Sequence, residues 1–197
     1  MQDGFCIKGE IPMIKKKTKL YAKIMLLSIS SLIILALPLQ IFAHQNTQHL
    51  LISELKIKTM HQNKEDFLAE MFKEHQSPCP KAMAKTVLKT SRPALYASLS
   101  MEESGGDPNA IGDGGKSYGA FQIQAQHWGP VPRQLDGQAD KAQKILEGHI
   151  KESKGNLRKA LAMYNGGDKP PAKSYRYADR IIERAHLINK KFKEFSV

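Results

Sequence analysis

Residues 93–124 read PALYASLSMEESGGDPNAIGDGGKSYGAFQIQ, and this stretch decides the fold. It predicts a helix that stops abruptly on glycine. Pro93 suits a first helical turn, where its missing N–H costs nothing, and Ser91 is placed to cap that turn. Ala94, Leu95 and Leu99, joined by Ser98 and Met101, supply a buried face. Gly105-Gly106, with Pro108 beyond, end the helix just after two glutamates, Glu102 and Glu103. The glycine-rich run that follows reads as a long loop, and AFQIQ (120–124) is the one segment with a strand-like pattern.

Working outward, the pattern stays helical. DGQADKAQKILEGHIKES (136–153) repeats Ala139, Ala142, Leu146 and Ile150 on one face. GNLRKALAMYNGG (155–167) begins at Asn156 and ends at Gly166-Gly167. PPAKSYRYADRIIERAHLINKKF (170–192) starts on proline and carries Tyr177, Ile181, Ala185 and Ile188 as a stripe. Upstream, KAMAKTVLKT (81–90) predicts one more helix. LLISELKIKTM (50–60) and EDFLAEMFKEH (65–75) predict two short amphipathic ones, either a polar spacer or a helix packing on the domain. The expected fold class is all-α, a helical domain with one long, functional-looking loop. The expected organisation is a leader over 1–43, a helical spacer over 44–80, bounded by Pro78 and Pro80, and the domain over 81–197.

Glu103 is the candidate acid. A carboxylate at a helix C-terminus faces the negative end of the helix dipole, and that position raises its pKa, as does partial burial under the following loop. A general acid must hold its proton near neutral pH. Glu102, about 100° further round the helix, reads as a solvated surface residue. His/Cys/Asp clusters with ligand spacing are absent from the sequence, so no metal or other cofactor is implied.

Three strings in order carry a resemblance: ESGGDPNA at 103–110, GAFQIQ at 119–124 and AMYNGG at 162–167. Together they resemble the soluble lytic transglycosylase family, which shares its fold core with goose-type lysozyme. The family pattern runs E-S-x-x-x-P-x-A, then G-L-M-Q-I or a variant, then A-Y-N-x-G, then a tyrosine in the last helix. The resemblance covers residues 85–190 and implies a lysozyme-like domain that cleaves the MurNAc–GlcNAc β-1,4 bond of peptidoglycan. It implies Glu103 as acid and then base, with a 1,6-anhydro product and no water consumed. That chemistry needs one carboxyl group where ordinary glycosidases use two.

The resemblance also implies substrate-side roles. Ser104 helps position the site, or is simply a polar helix end. Gln122 puts an amide beside the acid. Phe121 stands where the family often has Met and keeps a cleft wall apolar, or is simply core. Tyr164 stabilises charge near Glu103, whereas Asn165 ties its turn together. Tyr177 matches the last-helix tyrosine, or is core. Trp128, the only tryptophan, offers a flat face to a sugar, or packs. Lys173 stands where many members carry a glutamate, so a secondary acidic contact is missing. Asp113 is either a turn residue or, as goose-type relatives suggest, an activator of water for hydrolysis, which requires about 6.5–9.5 Å between the carboxyls. The glycines at 112, 114, 115 and 119 let backbone approach a saccharide.

The first 43 residues are a leader: KKKTKLYAK (15–23), then the apolar IMLLSISSLIILALPLQIFA (24–43). This is either a cleavable signal, cut after Ala43, or a membrane anchor, and both readings export the rest to the periplasm or cell envelope. Only an uncleaved leader implies contact with the inner membrane. Apolar residues make up 41% of the chain, which excludes wholesale disorder. The net charge is +11, and +7 remains beyond residue 43, where 24 Lys and Arg face 17 Asp and Glu. That balance favours an anionic partner such as the wall. No basic helix with interleaved aromatics points to nucleic acid. A non-catalytic wall-binding module is the competing class. Removal of Cys6 with the leader leaves Cys79 without an internal partner. Nothing in the sequence chooses between the cell's own wall, a secretion, conjugation or flagellar machine, and a phage.

Overall fold

A computed structural model describes residues 47–196 and divides the chain into two units, with the boundary between Lys56 and Ile57. The leader over 15–43 lies outside the described residues. No helix among the described residues is long and apolar enough to cross a membrane. In the first unit, residues 47–56 are helical and exposed, Leu50, Leu51 and Ile52 included.

The second unit is largely helical. Its first helix, α1, occupies residues 57–74. It is followed by α2 (Pro80–Leu88), α3 (Pro93–Ser104), a small sheet, the short α4 (Ala125–Trp128), α5 (Leu135–Glu152), α6 (Leu157–Gly166) and α7 (Ala172–Glu194). α1 corrects the expected domain boundary at residue 80. Leu68 and Phe72 are completely buried in the same core as α3 and α7, and Phe67 meets Phe192 and Phe195 edge-on. Of the two readings of this stretch, the structure shows the helix that packs on the domain, with its apolar stripe turned inward.

α3 starts as the sequence predicts, with Pro93 in its first turn, but Arg92 occupies the N-cap position and no side chain caps it. The Ser91 hydroxyl donates to Gln143 on α5 instead. Residues 94–101 are all buried, so α3 is the central helix, enclosed all round. Its stripe is joined by those of α5, α6 and α7: Ala139, Ala142 and Leu146, then Ala160 and Leu161, then Tyr177, Ile181 and Ile188. α6 begins where Asn156 accepts the Lys159 N–H at 3.0 Å and ends at Gly167.

The loop after α3 holds more strand than expected. β1 (Ile111–Gly112), β2 (Ser117–Tyr118) and β3 (Ile123–Gln124) form an antiparallel sheet in that order, pairing Ile111 with Tyr118 and Tyr118 with Ile123. Only the β3 segment had shown a strand pattern; two-residue strands are too short for a visible alternation.

The turn that ends α3 is cast against α1. Gly105 and Gly106 have φ of 68° and 81°, a region that side chains disfavour. Their N–H groups return to Met101 and Ser100 carbonyls. A Cβ on Gly106 would fall 2.7 Å from the Phe72 ring, and one on Gly105 would fall 2.5 Å from the His75 carbonyl oxygen. Ser77 donates to the Gly106 carbonyl at 2.8 Å. Glycine here serves both the left-handed turn and a contact that no other residue fits.

Candidate active site

Glu103 sits in the last turn of α3, on the side that meets α6 and α7. The Tyr177 hydroxyl, reaching from α7, donates a hydrogen bond to Glu103 Oε1. Burial pushes the Glu103 carboxyl up to about 7. The Tyr177 hydrogen bond opposes that rise, and the negative charges of Glu102 and Asp113 add to it. Burial therefore does most of what the helix dipole was expected to do. Burial and the Glu103 charge together also raise the phenols of Tyr164 and Tyr177 well above their ordinary range, so both stay protonated donors.

Glu102 is not the solvated residue expected. Its side chain is only 13% exposed, and two arginines of α7 hold it. Arg180 Nη2 lies 2.7 Å from Oε1 and Arg184 Nη2 lies 3.2 Å from Oε2. Adjacent glutamates thus have different surroundings: Glu102 is paired with two arginines, and Glu103 is bonded to a tyrosine hydroxyl.

Ser104 acts on the backbone. Its hydroxyl donates to the Ala120 carbonyl at 2.9 Å and accepts the N–H groups of Gly106 and Asp107. It ties the end of α3 to the segment carrying Phe121 and Gln122. Gln122 has φ of 45°, and its Nε2 donates to the Gly119 carbonyl at 3.0 Å. Its amide is spent on the loop, with only half-burial leaving an edge to solvent. Of the two readings of Phe121, the structure shows the core one: its side chain is wholly buried. What it offers the site is a carbonyl, which accepts the Tyr164 hydroxyl at 2.9 Å. Tyr164 consequently braces the loop from α6, close enough to Glu103 to feel its charge. Asn165 has the tying role expected, accepting the buried Ser174 hydroxyl at 2.8 Å across the α6–α7 turn.

Asp113 lies exposed in the β1–β2 turn with φ of 50°. Ser117 and Gln124 both donate to its Oδ2. Its charge acts on Glu103, so the two carboxyls share one electrostatic neighbourhood. Trp128 is 45% exposed, meets the His149 ring edge-on at 5.6 Å, and lines two surface grooves, neither of which includes Glu103. Of the glycines, 114 and 115 face open space at the turn tip, whereas 112 and 119 are crowded by the amides of Gln122 and Gln138. Those two serve internal hydrogen bonding rather than a saccharide.

Gln138 was missed. It is 3% exposed on α5. Its Oε1 accepts the Ala120 N–H at 2.8 Å and its Nε2 donates to the Pro108 carbonyl at 3.0 Å. One amide therefore holds both ends of the glycine-rich loop. A polar residue one place from Ala139, four before Ala142, is the signal that could have revealed it. Among the described residues, no group of three His, Cys, Asp or Glu side chains is arranged to hold a metal ion. Scans against family models, curated proteins and solved structures give no match to this chain.

Proposed function

We propose that this chain is an exported peptidoglycan lytic transglycosylase with Glu103 as its acid and base. One observation carries the reading: the Tyr177 hydroxyl grips the Glu103 carboxyl at the end of a buried helix, where burial pushes that carboxyl up to about 7. Glu103 gives its proton to the oxygen bridging MurNAc to GlcNAc, and the C1–O bond breaks with its electron pair going to that oxygen. The resulting carboxylate then takes the proton of the MurNAc C6 hydroxyl as that oxygen bonds to C1. The acid ends as it began, and water is not consumed. Tyr177 orients the carboxyl and steadies its charged form between the two halves of the reaction. The motif strings at 103–110, 119–124 and 162–167 support the substrate class, and the leader supports export.

Asp113 favours a second reading. Its charge acts on Glu103, and a carboxylate across the site would serve a hydrolase by activating water. Digestion of purified sacculi separates the two. Anhydro-muramic ends are the expected product; reducing ends would replace transglycosylation with a muramidase reaction. Binding without release by the wild-type chain would leave only a wall-binding module. Mass spectrometry of the exported form tests the leader, with cleavage after Ala43 expected.

A further inference from the structure

Helices α3 and α7 pack in one core, with Ala94, Ala97, Ser98 and Leu99 of α3 and Ala178, Ile181, Ala185 and Ile188 of α7 all buried. Apolar burial is non-directional, so it tolerates small shifts in the rotation and height of one helix on the other. Yet the hydrogen bond from Tyr177 to Glu103 depends on both.

Beside that bond sits a polar cluster outside the motif residues. Arg180 and Arg184 lie three and seven residues after Tyr177, on the same side of α7. Arg180 Nε donates to Glu102 Oε1 at 2.8 Å, and its Nη2 lies 2.7 Å from the same oxygen in an ion pair. Arg184 Nη2 reaches Glu102 Oε2 at 3.2 Å, and its Nη1 reaches the Ser98 carbonyl, one turn earlier on α3, at 3.1 Å. Two guanidinium groups thus seize both oxygens of one carboxylate, and one of them spans two levels of α3. Planar, directional forks of this kind specify geometry as well as contributing attraction. A largely buried ionic group setting the register between two helices is the best-attested use of such a cluster.

We propose that Glu102, Arg180 and Arg184 form a register clamp that fixes α7 on α3 and thereby seats the Tyr177 hydroxyl on the Glu103 carboxyl. Glu102 is a positioning residue in this scheme. It acts through α7 and Tyr177, and it does not touch the reacting atoms. The inference rests on Glu103 being the acid. The groups that face Glu103 are Tyr177 on α7, Tyr164 on α6, Asp113 in the hairpin and Glu102 on its own helix. Only Tyr177 hydrogen-bonds it among the recorded bonds of the described residues.

The test is a thermodynamic cycle read at Glu103 itself. Carboxyl-labelled protein is titrated by NMR as wild type, Tyr177→Phe, Glu102→Gln and the double variant. In the wild-type background, Tyr177→Phe raises the Glu103 midpoint, because a hydrogen bond to the charged form is lost. With Glu102→Gln already present, the same substitution is expected to leave the midpoint where it was. An equal rise in both backgrounds overturns the clamp. Arg184→Lys keeps the charge and loses the fork to Ser98, so it serves if Glu102→Gln does not fold. There the Tyr177→Phe effect is expected to fall to roughly half or less, and a full-sized effect overturns the proposal. The titration needs no substrate, so a wild-type chain that releases nothing from sacculi sinks the enzymatic reading and leaves the clamp to its own result. On sacculi, Glu102→Gln is expected to lower kcat roughly tenfold with little change in KM, the mark of a misplaced group rather than lost binding.

Discussion

The helical floor of the site and the loop above it are built by different means. In the floor, side chains of one helix meet side chains of another: Tyr177 meets Glu103, and Arg180 and Arg184 meet Glu102. In the loop, side chains hold backbone. Ser104 holds Ala120, Gln138 holds Ala120 and Pro108, Gln122 holds Gly119, and Tyr164 holds Phe121. The floor therefore sets chemical state, through burial and charge. The loop sets shape, through a handful of amides and hydroxyls. Damage to the first should change proton affinity and rate; damage to the second should first change stability.

The sharpest way to break that division is Glu103→Gln. Release from sacculi should fall by about 10³-fold or more, since the variant has no proton to give. The same substitution should stabilise the fold in alkaline solution. Burial raises the Glu103 carboxyl from 4.5 to about 7, so the fold favours its protonated form. The stability gained from that preference is intact below the unfolded carboxyl's value and is lost as pH rises through 7. Urea unfolding at pH 8 should find the Gln variant more stable by at most about 3 kcal/mol, and at pH 4 the two should be alike. A variant less stable at pH 8 would mean that Glu103 is structural.

Gln138→Ala addresses the loop. It strands the buried Ala120 N–H and frees the half-buried Pro108 carbonyl, and should cost roughly 1–3 kcal/mol of stability in urea unfolding while leaving the Glu103 titration near its wild-type position. A large shift of the titration would show that loop and floor are not separable. Tyr164→Phe tests the one residue that belongs to both regions. It should cost about 1 kcal/mol for the lost bond to Phe121, with a smaller loss of activity than Glu103→Gln. The smallest effect is expected from Asp113→Asn. Removing that charge lowers the Glu103 carboxyl, so the alkaline limb of the activity profile moves to lower pH. Loss of all activity instead would favour the hydrolytic reading.

The helices were legible because their signals are local. Pro93, Asn156 and Gly167 mark ends by rules that need no tertiary partner, and the α5 and α7 stripes repeat at helical spacing. Glu103 and Tyr177 stand out in the sequence as candidates, and the structure brings them into contact. What the sequence hid depends on distant partners. Glu102 looked solvated because nothing local reveals Arg180 and Arg184, 78 and 82 residues away. Phe121 left two readings open because an apolar residue beside a polar motif reads the same whether it faces in or out. The small sheet was hidden by the brevity of its strands, and the place of α1 in the core by its largely polar composition.

The contact of Gly105-Gly106 with α1 bears on what counts as a self-sufficient piece of this protein. The three strings that suggest its chemistry all lie after residue 100, and a chain trimmed to begin at Pro80 would keep every one of them. It would also lack Phe72, His75 and Ser77, the wall on which the turn after Glu103 is shaped. Cutting there would leave that turn unsupported without altering a single residue of the motifs. The piece that folds as one is thus longer than the motif strings, and it reaches back into α1.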